Sequence, residues 1–465
     1  MNLEELEDHD VKSQQKTEQK RPTAGSLAIP KVEYSGDVTF TEDERFKFIC
    51  GTAGTGKTYA VRELQKVDDR VKLVATTGIA AVNLGGESTT INAAIGYFDT
   101  ESLAELYQRG RLESILVHWA RLGTTHWVLD EASMLDGRQL TYLVRAINEA
   151  NVHLEELKDY FDKGGHPIRL TLVGDFAQLP PVEAPFAFER DEWEPFETNT
   201  TMLTTIRRQT DQDFIRALQL ARRGDGAGAL EYFRQFIKPN RDLVFPGTTI
   251  VAKNAEVDRV NGLRLSDLRS ERATYQTERS GTQRPEWTKN IPNELMLKEG
   301  ATVMILANKR FGKSEIFEYV NGDIGTVTEL EVATGMWDGD VRVPATGVEV
   351  KLFRTGEVVV VSPVKREVEE LVETKPGSGV FKKRITGAIT YIPIRVAYAT
   401  TVHKSQGLTL DHVQVCFADH FFARGPGMLY VALSRVRSPE GLRLIGNVDV
   451  FAKRCTSDDK VRRWL

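Results

Sequence analysis

The most chemically specific stretch of this 465-residue chain is Gly51-Thr-Ala-Gly-Thr-Gly-Lys-Thr58. It fits G-x-x-x-x-G-K-[ST], with an apolar run, Phe46–Cys50, before it and a helical stretch, Tyr59–Gln65, after it. In that setting Gly51, Thr52, Ala53, Gly54, Thr55 and Gly56 turn the backbone tightly and aim N–H groups at phosphate oxygens. The helix start adds a favourable dipole. Lys57 is expected to reach the β- and γ-phosphates of a nucleoside triphosphate, and Thr58 to hold Mg2+. A chance glycine-rich turn is the competing reading, and both the sequence and its context speak against it.

Further groups suit the same chemistry. His126-Trp-Val-Leu-Asp130-Glu131 is an apolar run ending in two carboxylates. Asp130 is the expected magnesium partner, and Glu131 is placed to polarise an attacking water. Alone, two adjacent acids fit an exposed strand end equally well; the phosphate loop upstream tips the balance. Leu172-Val-Gly-Asp175-Phe-Ala-Gln178-Leu-Pro-Pro181 ends another apolar run. Gln178 could hydrogen-bond a γ-phosphate or the water, and Asp175 could support the metal's surroundings; a plain polar loop is the alternative. Arg208 and Arg435 lie far along the chain from the loop. A guanidinium brought from another domain would stabilise a transferring phosphoryl group. Most arginines are surface residues, so spacing alone favours the plainer reading.

The elements that must position these groups alternate between apolar strands and helical stretches. Strands are expected at Phe46–Cys50, Lys72–Ala75, His126–Asp130, Arg169–Gly174, Thr248–Ala252, Ile394–Tyr398, Val413–Phe417 and Leu442–Ile445. Most end in polar or glycine-rich segments, the ligand edge of a parallel α/β sheet. Between Leu295 and Pro393 the texture changes to short strands with turn signals such as Asn321-Gly322 and Thr355-Gly356. This predicts a small antiparallel barrel inserted into the second α/β unit, with Lys365–Arg384 a solvated hairpin.

Composition sets bounds. The length calls for two to four domains. No apolar run approaches a membrane span, and MNLEELEDHD lacks a signal core. Cys50, Cys416 and Cys455 are isolated, which favours a reducing interior. A formal net charge of -5 argues mildly against nucleic-acid binding by bulk charge, although a local basic surface decides that question.

In order along the chain, Gly51–Thr58, Thr76-Thr-Gly-Ile-Ala-Ala81, Asp130-Glu-Ala-Ser-Met134, Gly174–Pro181, Ile206-Arg-Arg-Gln209, Ala399-Thr-Thr-Val-His-Lys-Ser-Gln-Gly407 and Tyr430–Arg435 resemble the successive motifs of superfamily 1 DNA helicases of the RecD/Dda/PIF branch. The resemblance spans roughly Phe40 to Gly446. It implies an α/β fold of two RecA-like P-loop domains, with a small pin insertion in the first and an SH3-like β-barrel insertion in the second. The expected division is a flexible polar tail over 1–36, the first domain over 37–200 with the pin within about 96–123, the second over 201–264 and 393–465, and the inserted region over 265–392.

The resemblance further implies ATP and Mg2+ as cofactors and 5′ to 3′ movement on single-stranded DNA. It makes Arg208 and Arg435 arginine fingers from the second domain, and it places Gln406 and Gly407 beside the nucleotide or between it and DNA. Three departures stand out, the first being that the tail before Asp37 has no clear counterpart in the family. Val38–Phe48 contains no adenine-reading glutamine, and Thr90-Ile-Asn92 replaces the family's Thr-Ile-His.

Single strands and single/double-strand junctions are the expected partners. Thr77, Ser88, Thr89, Asn92 and Phe98 would form the first domain's track, and Thr401, His403, Lys404 and Ser405 the second's. Helix capping explains Ser88-Thr-Thr90 equally well, and for His403 a structural hydrogen-bonding role weighs nearly as much as DNA contact. Trp193 is read as core. Contacts to single-strand-binding or replication proteins are assigned to the tail. A monomer without membrane contact is expected, in a bacterial or phage-infected cytoplasm, with a nucleus left open. Two alternatives remain: an ATP-driven translocase or remodeller that does not separate strands, and a small-molecule P-loop kinase.

Overall fold

The computed structural model describes residues 44–465 apart from 86–87, 157–165, 243–244, 282–290, 311–316, 320–321, 340 and 376–380. The expected tail over 1–36 lies outside the described residues.

The first unit is built on β1 (Phe46–Gly51), β2 (Val71–Ala75), β3 (Thr89–Thr90), β4 (His126–Asp130), β5 (Arg169–Gly174) and β6 (Thr200–Leu203). They form one parallel sheet in the order β3-β2-β4-β5-β1-β6. β1, β4 and β5 are buried at every residue, which is why each reads as an unbroken run rather than an alternation. Because β5 lies between β4 and β1, the phosphate loop, the acidic pair and Asp175 all emerge at one sheet edge.

The second unit holds β7 (Ile237–Lys238), β8 (Thr248–Val251) and the strands Ala399–Thr401, Val413–Cys416 and Leu442–Ile445. These also pair in parallel, with β8 and Val413–Cys416 adjacent near the centre. Between β8 and Ala399–Thr401 the chain builds an antiparallel region. Its five-stranded sheet runs Val358–Val361, Val341–Leu352, Ile324–Asp338, Thr302–Ile305, Ile394–Val396. Leu297, Val303, Ile305, Val327, Val348 and Val361 give it a core of its own. The expected hairpin is present as Val364–Glu373 paired with Phe381–Tyr391.

Four features add to or differ from the sequence reading. β6 pairs with β1, so the first sheet continues to Leu203, past residue 200. Its polar Thr-Thr start hid it. The run Ile394–Tyr398 is not one strand of the second parallel sheet: Ile394–Val396 pairs antiparallel with Thr302–Ile305, and Ala399–Thr401 joins β8. Apolar character alone cannot tell which sheet a strand enters.

The third feature is the segment 96–123, expected to hold the pin, which is largely helical. Its helices Thr100–Gln108 and Arg111–Arg121 pack on the helix Gly137–Glu156. Leu112, Ile115 and Leu116 recur at helical spacing and are buried, with Leu103 and Val117 beside them. The fourth is the C-terminal turn Asp459–Trp464, which returns to the first unit. Trp464 lies among Phe48, Phe176, Phe188 and Trp193. Trp193 is core, as expected.

Candidate functional site

The phosphate loop joins β1 to the helix α1 (Lys57–Val67). Gly54 and Gly56 take φ of 87° and 88°, a region that favours glycine. A side chain at Gly54 would meet Arg208 Cβ at 2.7 Å, so the loop's tip lies flat against the Ile206–Gln209 segment. Arg207 N and Arg208 N both donate to Gly54 O, at 2.8 and 3.2 Å. Lys57 Nζ donates to Gly51 O at 2.7 Å and Thr52 O at 3.1 Å. Burial pushes its pKa down, against the pull of Asp175, Glu131 and Asp130.

Thr58 Oγ1 donates to Asp130 Oδ2 at 2.8 Å, and Glu131 N donates to Asp130 Oδ1 at 2.8 Å. Hydroxyl and carboxylate thus share one point, the arrangement a hard divalent cation needs. Glu131 sits at φ 56°, a strained position for a side-chain-bearing residue. Burial, reinforced by Asp130, pushes the Glu131 carboxyl up to about 7. Its Oε2 accepts from Gln406 Nε2 of the second unit at 2.9 Å.

A cavity of about 530 Å3 brings together Gly54, Gly56, Lys57, Thr58, Asp130, Glu131, Gln178, Arg208, Gly407 and Arg435. The structure thus brings these residues, from both units, around one space. Gln178 is buried and its Oε1 has no hydrogen-bond partner among the described residues.

The two arginines expected as fingers both bond to backbone and side-chain oxygens of the second unit. Arg208 Nη1 donates to Ser434 O at 2.9 Å. Arg435, 1% exposed, donates from Nε to Val431 O at 2.8 Å and from Nη2 to Ser434 Oγ at 2.7 Å. Burial, and then the like charge of Arg435, lower the Arg208 guanidinium to about 9.

Asp175 corrects the sequence reading. Its Oδ1 accepts from Arg222 Nη2 at 2.9 Å and Ala177 N at 3.2 Å; its Oδ2 accepts from the Tyr430 hydroxyl at 3.0 Å. Tyr430 Oη in turn accepts from Ala53 N of the phosphate loop at 2.8 Å, and Arg222 Nη2 donates to Trp464 O at 2.6 Å. With its lone pairs engaged, Asp175 ties the two units together rather than serving the metal. Arg222 carried no sequence signal. Tyr430 opens the Tyr430–Arg435 motif, but nothing in its spacing marks it as a link between the units. Gln209, buried and bonded to Ser434 O and Val436 O, was also missed.

The DNA calls divide. Thr77 Oγ1 accepts from Ala80 N, and Thr90 Oγ1 caps the helix Ile91–Ile95 through Ala93 N. Ser88 and Thr89 are half-buried beside that cap. Asn92 Nδ2 donates to Phe98 O at 3.2 Å, and Phe98 is 44% exposed. In the helix Val402–Ser405, His403 is exposed and Lys404 half-buried. Thr401 is buried and its Oγ1 accepts from Lys404 N; Ser405 is buried and donates to Val402 O at 2.8 Å. These two hydroxyls serve the helix, which excludes Ser405 from direct contact in this arrangement. Among the described residues no cluster of His, Cys, Asp and Glu forms a metal site, and no helix is long and apolar enough to cross a membrane.

Comparison with known proteins agrees with this architecture. A family model described as "AAA domain" matches residues 37–236, and one described as "Helicase" matches 359–461. The chain is 30% identical to the ATP-dependent DNA helicase PIF1 of Xenopus laevis over 92% of its length, spanning 63% of that protein. It is 30% identical to the ATP-dependent DNA helicase Pif1 of Bdellovibrio bacteriovorus, covering 91% of this chain and 90% of the relative. The Pif1 helicase structure from Candida albicans superposes with a TM-score of 0.60 at 27% identity, covering 90% of this chain and 94% of that one. An unliganded Pif1 from a Bacteroides species, 23% identical, shares the fold with a TM-score of 0.63 over 91% of this chain and 93% of that one. The two parallel-sheet units are therefore the two RecA-like domains of these enzymes, and the chain belongs to the PIF1 family of superfamily 1 helicases.

Proposed function

We propose that this protein is an ATP-driven motor that moves 5′ to 3′ along single-stranded DNA and opens duplex ahead of it. The observation that carries the reading is the direct bond from Gln406, at the end of the Thr401–Ser405 segment, to Glu131 at the phosphate loop. It joins the proposed DNA track to the proposed hydrolytic base.

The residues fit ATP with magnesium. Gly51–Thr58 would cradle the phosphates, with Lys57 on the β- and γ-groups and Thr58 and Asp130 on the metal. The metal would neutralise charge on the phosphate oxygens. Glu131 takes a proton from water as the water oxygen bonds to the γ-phosphorus and the bond to the leaving ADP oxygen breaks. Gln178 orients that water through its unpartnered Oε1. Arg208 and Arg435 reach the transferring group only by exchanging their present bonds around Ser434, so closing the cleft and engaging the fingers are one movement. Asn92 and Phe98 on one side, and His403 and Lys404 on the other, are the proposed strand contacts.

One observation favours a second reading, translocation without strand separation: the segment expected to be a pin is a packed helical pair. Deleting it would remove Leu103, Leu112 and Leu116 from the core, so deletion cannot test the point. Instead, ATP-dependent opening of matched 5′-tailed and 3′-tailed duplexes is compared with loss of a dye from the end of an unpaired strand. Opening of the 5′-tailed duplex is expected. A 3′ preference overturns the polarity, and dye loss without opening selects the second reading.

A further inference from the structure

The cavity has a third wall. Asn308, Gly322, Asp323 and Arg354 of the antiparallel region line it together with the two parallel-sheet units. Three close approaches place this wall beyond Glu131. An atom added at Gly407 would lie 3.6 Å from Glu131 Oε1 and 2.7 Å from Asn83 Nδ2. One added at Gly322 would meet Leu408 Cδ2, in the residue after Gly407, at 3.1 Å. One added at Gly85, two residues past Asn83, would meet Asn308 Nδ2 at 3.2 Å. The order outward from the base is therefore Glu131, then Asn83 and Gly407, then the antiparallel region. Glycine at 407 and 322 leaves that way clear of two side chains.

Arg354 stands in the turn between the strands Val341–Leu352 and Val358–Val361. Its Nε donates to Asp323 Oδ1 and its Nη2 to Asp323 Oδ2, both at 2.8 Å. Asp323 is buried, and its backbone is fixed: Ile305 N donates to Asp323 O at 2.9 Å, and Gly322 N to Ile305 O at 2.9 Å. The pairing uses one edge of the planar guanidinium and leaves Nη1 outside it, on a side chain that is 35% exposed and lines the cavity. A buried carboxylate thus orients the fork in advance for a second oxyanion. Among the charged lining residues Lys and Arg outnumber Asp and Glu seven to three, so the space as a whole favours an anion. Asp323 offsets much of the charge on Arg354, so the hold on that anion is weak, as a departing product requires.

We propose that Arg354 is a binding site for the inorganic phosphate freed from ATP, and that this product leaves past the antiparallel region. The inference rests on the motor reading above and adds a product site to it. After hydrolysis ADP still lies on Gly51–Thr58 and closes that side of the cleft. The freed phosphate faces Glu131, and the way outward runs by Gly407 to the Asp323–Arg354 pair. Phosphate accepts from Nη1 there while Asp323 keeps the other edge of the fork.

The test measures ATP hydrolysis by the full chain with magnesium and saturating oligothymidylate, in rising inorganic phosphate, against potassium chloride at matched ionic strength. The wild type is expected to be inhibited by phosphate beyond the effect of chloride. Arg354→Ala should raise the inhibition constant for phosphate about tenfold, the loss of one charge-assisted hydrogen bond, with the KM for ATP within about twofold of wild type. Because Arg354→Ala leaves Asp323 buried without its counter-charge, Arg354→Lys guards against a folding defect. Lysine keeps the charge beside Asp323 but has no second edge for phosphate, and the constant should rise roughly threefold or more. An unchanged phosphate constant in Arg354→Lys overturns the inference, and so does a wild type that phosphate inhibits no more than chloride. A KM for ATP that rises by the same factor as the phosphate constant also overturns it, since Arg354 then serves the nucleotide rather than the product. The wild type separates the two levels: if oligothymidylate does not stimulate its hydrolysis at all, the motor reading fails, whatever Arg354 does.

Discussion

β4 and β5 are neighbouring strands, and each delivers a buried carboxylate to the same sheet edge. Their environments are opposite. At the end of β5, Asp175 has Arg222, Tyr430 and a backbone amide on its oxygens. Although burial alone would raise it, Arg222 and Lys57 hold its carboxyl below the usual range. At the end of β4, Glu131 has one neutral amide and a like charge beside it, and burial pushes it up to about 7. One carboxylate is fully compensated and joins the domains. The other is left costly to ionise, in a strained backbone conformation, where the proposed function calls for proton transfer. A satisfied buried network resists change, while a poorly satisfied one is where change occurs.

The sharpest way to break this comparison is to exchange the carboxylates for amides. Glu131→Gln should lower the DNA-stimulated ATPase about 10³-fold, near 4 kcal/mol of barrier. Because the native fold gains nothing from ionising Glu131, the denaturation midpoint should stay or rise. Asp175→Asn should do the reverse. It leaves Arg222 buried without a counter-charge and should cost about 3 kcal/mol or more in urea denaturation. Its ATPase at low temperature should fall far less than that of Glu131→Gln. If Asp175→Asn is stable and inactive, the assignment of the two acids is inverted.

The pH dependence of stability sharpens the same contrast. Asp175 is depressed in the fold, so its contribution is complete above the ordinary carboxylate range and disappears as pH falls through its lowered folded value. Glu131 is raised, so between the ordinary value and about 7 the native state holds a proton the unfolded chain has lost, and stability falls as pH rises. Urea midpoints across this range should decline less steeply in Glu131→Gln than in wild type.

A smaller effect belongs to the helix cap beside the proposed DNA track. Thr90→Ala removes the cap on the helix Ile91–Ile95 and should cost about 1 kcal/mol, with affinity for single strands little changed. A large loss of affinity at unchanged stability would move Thr90 from cap to contact.

The two carboxylates also show what the sequence reveals. Glu131 follows an apolar run downstream of a phosphate loop, and local order along the chain exposes it. The strands β1, β4 and β5 are legible for the same reason, since burial on both faces leaves continuous apolar runs. Asp175 was seen but misread, because its partners Arg222 and Tyr430 are 47 and 255 residues away and are chosen by the packing of two domains. The return of Trp464 to the first domain's aromatic cluster is hidden likewise: one tryptophan near a polar stretch carries no period. The packed helices of 96–123 carry a period, at Leu112, Ile115 and Leu116, that is legible in the sequence, whereas a pin there is implied by family likeness alone. Where patterns are local, sequence and structure coincide; where side chains meet across a domain boundary, only the fold reveals the pairing.

The central claim is that the cleft built on Lys57 and Glu131 drives movement on DNA. Its most direct test is steady-state ATP hydrolysis with and without single-stranded DNA, for the wild type and for Lys57→Ala. Strong stimulation of the wild type and loss of that stimulated rate by at least about 100-fold in the variant are predicted. Full DNA-stimulated hydrolysis by Lys57→Ala would contradict the account.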